Sequence, residues 1–150
     1  MCKIMIFVFL SLNLFAQTKE SSGDNFTHLS TYKTEEILQY VASESTKKLP
    51  LQIDLITALV NVTTNKNTYQ YIKQINTKHT SLKDVSIAIF LDSLQIRLFE
   101  TDVKLACNEP LFKYLIYERK AVFEYVYETK ASKPLFKYQV AIENCDRLLK

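Results

Sequence analysis

AVFEYVYETKASKPLFKYQVAIENC (Ala121–Cys145) carries the pattern that decides the fold class. Phe123, Tyr125 and Tyr127 fall on one face of an extended chain, and Glu124 and Glu128 fall on the other. After the polar break TKASKP, Phe136, Tyr138, Val140 and Ile142 resume the apolar face, with Lys137 and Gln139 set against the glutamates. A period of two this regular belongs to an antiparallel hairpin with one buried and one wet face. Pro134 has no N–H to donate and suits the start of the second strand. The row Tyr125, Tyr127 and Tyr138 has two readings. It is a candidate binding face, because tyrosine is favoured at interfaces. It is also what a core strand under a helix looks like, with hydroxyls reaching the rim. The second is the commoner outcome, since aromatic residues are good strand formers.

The preceding segments supply what packs on that ribbon. EPLFKYLIYER (Glu109–Arg119) reads as a short helix with Pro110 in its first turn and Leu111, Leu115 and Tyr114 inward. Before it, VSIAIFL has the composition of a strand. From Asp92 on, however, Ser93, Arg97, Glu100, Lys104 and Asn108 recur at helical spacing opposite Ile96, Phe99, Val103 and Ala106, and Ile89 and Val85 extend the apolar row. One helix from about Ser86 to Cys107 is expected. Further upstream, Thr34 is a candidate cap for a helix with Ile37, Leu38, Val41 and Ala42 on one face, Glu35 and Glu36 in the first turn, and Pro50 as its stop. Between these helices, Ile56, Ala58, Val60 and Val62 alternate with Thr57, Leu59, Asn61 and Thr63, then TNKN turns the chain into Tyr69, Tyr71 and Ile75. That is a second hairpin, with a loop expected to be longer than the tightest type. The whole is an α+β domain over residues 34–150, in the order α-ββ-αα-ββ. Its helices pack on one face of an antiparallel sheet of about four strands.

The other end of the chain sets the compartment. In MCKIMIFVFLSLNLFAQ, Lys3 precedes the apolar run Ile4–Phe15, and Ala16 offers a small residue at the end. This is the layout of a secretory signal peptide over residues 1–16. The run is about a dozen residues, short of the ~20 a membrane-spanning helix needs. No stable membrane insertion is expected once it is removed. Residues 17–33, polar and holding the chain's single glycine, Gly23, read as a flexible leader. Cys2 precedes the apolar run and leaves with the signal, so the exported chain keeps Cys107 and Cys145. In an oxidising compartment two cysteines most simply form one disulfide. A metal pair has little support, because neither His28 nor His79 is spaced as a partner ligand.

Several chemistries are excluded. The chain has one glycine in 150 residues, and it lies in the leader. A phosphate-binding loop, a dinucleotide fingerprint and a nucleophile elbow all need glycine where backbone approaches ligand or turns sharply. A formal charge of +3 without an arginine or lysine cluster gives no footprint for nucleic acid. Glu124 and Glu128 sit on a wet strand face rather than in a cleft that would part their pKa values. No catalytic residue, metal ligand or cofactor is therefore assigned. The expectation is a periplasmic or secreted, non-catalytic protein that binds another envelope or secreted protein as an accessory or inhibitor-type factor. A carrier of a small apolar ligand, walled by the Tyr/Phe row, is the alternative. The oligomeric state is not legible.

Pro50-x-x-x-Asp54, Thr57 and Leu59, Tyr69-Gln70-Tyr71, the helix ending at Cys107, EPLFKYLI, Tyr125-x-Tyr127 and the closing Cys145 together resemble a loose group of small exported bacterial proteins. The resemblance covers roughly residues 49–145 and implies export and architecture, not chemistry. Members of that group often have a glycine before the penultimate strand, where this chain has Arg119-Lys120, so a differently shaped turn is expected there.

Overall fold

The computed structural model describes residues 26–83 and 86–148. The segment expected as a signal peptide, most of the leader, and Val85 lie outside the described residues.

Helical periodicity prevails over strand composition in the disputed segment, which forms a helix over Ile87–Asn108 (α2). The next helix, α3 (Pro110–Arg119), begins at once, because Glu109 turns its carboxylate onto the Phe112 N–H at 2.8 Å and Pro110 occupies the first turn. It buries Leu111, Phe112, Leu115 and Ile116. The first helix, α1 (Thr34–Thr46), buries Ile37, Leu38 and Ala42. Its cap is Lys33, not Thr34: the Lys33 N–H donates to the Glu36 carboxylate at 2.7 Å. The packed chain begins before this helix. Phe26–Thr31 form a 3-10 helix that buries Leu29 and sets Phe26 5.3 Å from the Tyr114 ring.

The sheet differs from the expected one. It has five strands, β1 (Leu51–Gln52), β2 (Thr57–Asn65), β3 (Thr68–Ile75), β4 (Val122–Thr129) and β5 (Pro134–Val140), in sequential order. It is mixed rather than antiparallel: β3 and β4 run parallel, the other pairs antiparallel. The reason is the length of α2. Its 22 residues span about 33 Å at 1.5 Å per residue, enough to carry the chain back along the sheet so that β4 starts beside the start of β3. Parallel neighbours require such a crossover. A short terminal helix, α4 (Ile142–Leu148), completes the order α-βββ-αα-ββ-α.

Two local details reset the side-chain rows. A bulge between Leu59 and Asn61 shifts register, so Thr57 and Leu59 face inward before it and Val62 and Thr64 after it. Of the expected row Ile56, Ala58, Val60 and Val62, only Val62 is buried. The β2–β3 loop is the tightest kind, Lys66-Asn67, with Lys66 at φ 53°. Before β4, Lys120 adopts the left-handed conformation, φ 53° and ψ 34°, that glycine takes at small steric cost. The Asn67 amide holds the Lys120 carbonyl at 2.9 Å.

The helices α1 to α4 pack on one face of the sheet. The core is built from Tyr69, Ile75, Phe123, Tyr125, Tyr127 and Val140 on the sheet against Leu38, Val103, Ala106, Leu115 and Ile116 above it. The opposite face carries a hydrogen-bonded row across four strands: Thr63 to Gln70, Gln70 to Glu124 at 2.6 Å, and Gln139 to Glu124 at 2.9 Å.

Candidate functional site

The tyrosine row singled out in the sequence lies inside the protein. Tyr125 and Tyr127 are buried and Tyr138 is half-buried. The space between their rings is filled by a charge pair. Lys73, on the inward row of β3 between Tyr71 and Ile75, places its Nζ 3.0 and 3.2 Å from the two carboxylate oxygens of Asp102 on α2. The Tyr127 and Tyr138 hydroxyls donate to the same Asp102 oxygen, Oδ2, at 2.8 and 2.7 Å. Lys73 also donates to the Tyr127 oxygen at 3.0 Å, and its ammonium lies 4.8 Å from the Tyr125 ring centroid and 5.1 Å from that of Tyr127. The Tyr125 hydroxyl is buried without a hydrogen-bond partner among the described residues.

Both charges sit on elements that carry them into the interior, where 11% of the Lys73 side chain and 5% of the Asp102 side chain stay exposed. The β3 parity that turns Tyr69, Tyr71 and Ile75 inward turns Lys73 inward with them. Asp102 precedes Val103 on the arc of α2 that meets the sheet. Burial pushes the Lys73 amine below its ordinary pKa, and the Asp102 carboxylate partly offsets that shift. Burial pushes Tyr127 and Tyr138 well above theirs, reinforced by the Asp102 charge. The phenols therefore stay protonated as donors. This arrangement fixes α2 over the sheet and holds four polar groups in mutual satisfaction. The sequence reading missed both Lys73 and Asp102. The signal was present as a lysine on the apolar parity of a strand.

Cys107 and Cys145 are joined, with Cα atoms 5.4 Å apart. Val140 ends the strand, and α4 rotates Cys145 inward beneath α2. The wet-face parity that Cys145 would have on a continued strand thereby loses its meaning. The bond and the Lys73–Asp102 pair both grip the C-terminal third of α2, where Asp102, Val103, Ala106 and Cys107 are buried.

The rest of α2 is different. From Ile87 to Thr101 no residue is buried, although the sequence IAIFLDSLQIRLFET is rich in apolar side chains. Ile89 is 69% exposed and Ile96 63% exposed, and Leu55 in the β1–β2 loop is 80% exposed. The expected apolar row Ile89–Ile96–Phe99–Val103–Ala106 is thus covered at its C-terminal end and bare at its N-terminal end. Exposed apolar clusters on one element mark interaction surfaces more often than scattered single residues do.

On the helix-free face, a shallow depression is lined by Thr63, Asn65, Thr68, Gln70, Glu124 and Gln139. Hydrogen bonds from Gln139 and then Gln70 hold the Glu124 carboxyl below its usual range. Among the described residues no cluster of three or more potential metal ligands occurs, and no helix is long and apolar enough to cross a membrane.

No family model matches the chain, and no curated protein matches it. Solved structures do share the fold. The pilotin EpsS from the Vibrio vulnificus type 2 secretion system aligns at TM-score 0.60 and 14% identity, over 75% of this chain and 91% of that one. A candidate secreted protein of Pseudomonas aeruginosa aligns at TM-score 0.62 and 17% identity, over 82% and 99%. The type II secretion system pilotin AspS from Vibrio cholerae aligns at TM-score 0.56 and 14% identity, over 75% and 92%. At these identities the likeness is one of fold: the chain has the α+β architecture of small proteins found among secretion-system pilotins.

Proposed function

We propose that this chain is a small exported bacterial accessory factor that acts by binding another protein of the envelope, without catalysis. The observation that carries the reading is where apolar surface lies. A carrier of a small ligand needs an apolar cavity of several hundred Å3. The space beside Tyr125, Tyr127 and Tyr138 instead holds the Lys73 ammonium and the Asp102 carboxylate in hydrogen-bonding contact. Apolar side chains are displayed outward on α2, at Ile89 and Ile96. Export is supported by the apolar N-terminal run, by the Cys107–Cys145 bond, which forms in oxidising compartments, and by the likeness to pilotins of type 2 secretion systems. The same likeness favours a place beside an envelope secretion machine.

Two measurements test this. Native mass spectrometry of the purified exported chain should give the mass of the polypeptide alone, and a co-purifying lipid-sized adduct would turn the reading toward a carrier. In the producing cell, a photoreactive amino acid at position 96 should give one dominant protein adduct. Absence of any protein adduct at positions 89 and 96 would sink the proposal.

A further inference from the structure

The partner-binding reading can be sharpened at the edge of the sheet. At backbone distance α2 lies nearest β5, the last strand of the sheet. The Phe99 ring meets Tyr138 edge-on at 5.2 Å, and Asp102 reaches the Tyr138 hydroxyl. A helix is ~10–12 Å across and strands are ~4.8 Å apart, so a helix along an edge strand projects beyond it by up to about one strand width. Beside that edge the half-buried row Leu91, Leu94 and Leu98 of α2 and the half-buried Phe136 and Tyr138 of β5 pack against the core. These two aromatics face inward yet are only half-buried, whereas their neighbours Tyr125 and Tyr127 on β4 are buried.

We propose that an extended segment of the partner adds to the outer edge of β5 under α2, with alternate apolar side chains against this half-buried row and acidic side chains on the open face. The proposal rests on the protein-binding reading and names the chemistry of the partner. Strand addition supplies main-chain hydrogen bonds, and alternate side chains supply selectivity. The charge requirement comes from Lys130 and Lys133 on the β4–β5 loop and Lys137 on the outward row of β5. None of the three forms a close ion pair among the described residues, although the Lys137 charge helps to hold the Glu124 carboxyl below its usual range. Edge lysines and Pro134 also guard a sheet against self-association. That role accounts for the lysines but not for the half-buried apolar row beside them. At the opposite edge β1 covers the start of β2, and beyond the bulge the Asn61 side chain accepts the Val62 N–H at 2.9 Å.

The probe is an acetylated seven-residue peptide alternating valine and glutamate, titrated into the isotope-labelled exported chain and followed by amide chemical shifts. Shifts are expected along residues 135–140 and along 91–99 of α2. The variant Lys133→Glu/Lys137→Glu should weaken binding at least tenfold, and a peptide N-methylated at alternate residues should not bind. No shift in β5 at millimolar peptide, or equal binding of the N-methylated peptide, would overturn the proposal. If β5 stays unmoved while a photoreactive residue at position 96 still captures protein in the cell, edge addition is wrong and the broader reading stands. If neither responds, both are wrong.

Discussion

Asp102→Ala should be among the most damaging single changes to this protein, and its cost should depend on pH. The substitution removes the acceptor shared by Lys73, Tyr127 and Tyr138 and leaves a buried ammonium beside two phenols. Breaking a buried pair from one side costs about 3–5 kcal/mol, a large share of the ~5–15 kcal/mol that holds a domain together. The lysine can limit the damage by losing its proton. From an unfolded pKa of about 10.4, deprotonation costs about 4.6 kcal/mol at pH 7 and about 2 kcal/mol at pH 9, at 1.36 kcal/mol per unit. The penalty of Asp102→Ala is therefore capped, and the cap falls by about 2.7 kcal/mol between those two pH values. Replacing both charges, as in Lys73→Met/Asp102→Leu, leaves no uncompensated ion, and the two phenol oxygens, 3.4 Å apart, retain each other. That variant should lose no more than about 2 kcal/mol, since apolar replacement of a whole buried pair is often neutral. Urea titrations of the oxidised protein at pH 7 and 9, compared at constant m, read these differences. A single-variant cost under 1 kcal/mol, a cost independent of pH, or a double variant as weak as the sum of its parts would refute a buried charge pair as the clamp between α2 and the sheet.

Three further outcomes are expected. Cys145→Ser opens a loop of 38 residues and should cost about 4 kcal/mol by the loop-entropy relation, read as a loss of urea midpoint relative to the oxidised protein; an unchanged midpoint would show that the bond constrains nothing. On alkaline titration, Lys73 binds its proton more weakly folded than unfolded, so its contribution raises stability as pH climbs toward about 10.4. Tyr69, pushed up to about 12 by burial, and Tyr125, Tyr127 and Tyr138, also pushed up, ionise in the unfolded chain near pH 10 and not in the folded one. Several phenols outweigh one amine, so stability should peak just below pH 10 and fall steeply above it; a flat urea midpoint from pH 10 to 11 would contradict this. Finally, Ile89→Ser/Ile96→Ser should leave the unfolding free energy from urea titration within about 0.5 kcal/mol of wild type, because both side chains are largely exposed, while reducing protein capture at α2. A loss of several kcal/mol would mean that these residues belong to the core.

What could be read from the residues depended on the length over which a pattern repeats. The β4–β5 ribbon alternates over enough residues to fix which side is buried, and α2 repeats over six turns, enough to override the strand-like VSIAIFL. A two-residue β1 and a seven-residue α4 give no period to detect. The bulge in β2 reverses parity within a single strand, so a rule based on parity had to fail there. The parallel pairing of β3 with β4 is invisible to side-chain periodicity, which records faces and not neighbours. Lys73 and Asp102 are a different case. Each stands in an apolar row that its own element makes legible, and each looks like an ordinary surface charge until the two rows are known to meet. Strand parity could have marked Lys73 as buried, and a buried lysine requires an acid. The rotation of α2 that singles out Asp102 over Glu100 is set by packing that no single segment encodes.

The same separation runs through α2. Its apolar row has the pattern of a buried face, and over Val103–Cys107 it is one. Over Ile89–Ile96 the same row continues past the last helix available to cover it. A sequence pattern specifies that a surface is suited to burial, while the number of elements in the chain decides whether anything within the chain does the burying. Among the described residues the covering helices lie at the disulfide end of α2, and the clamp formed by Lys73, Asp102 and the Cys107–Cys145 bond fixes that end in place. The exposed side chains Ile89 and Ile96 are held out on a rigid support, as the proposed partner-binding role requires.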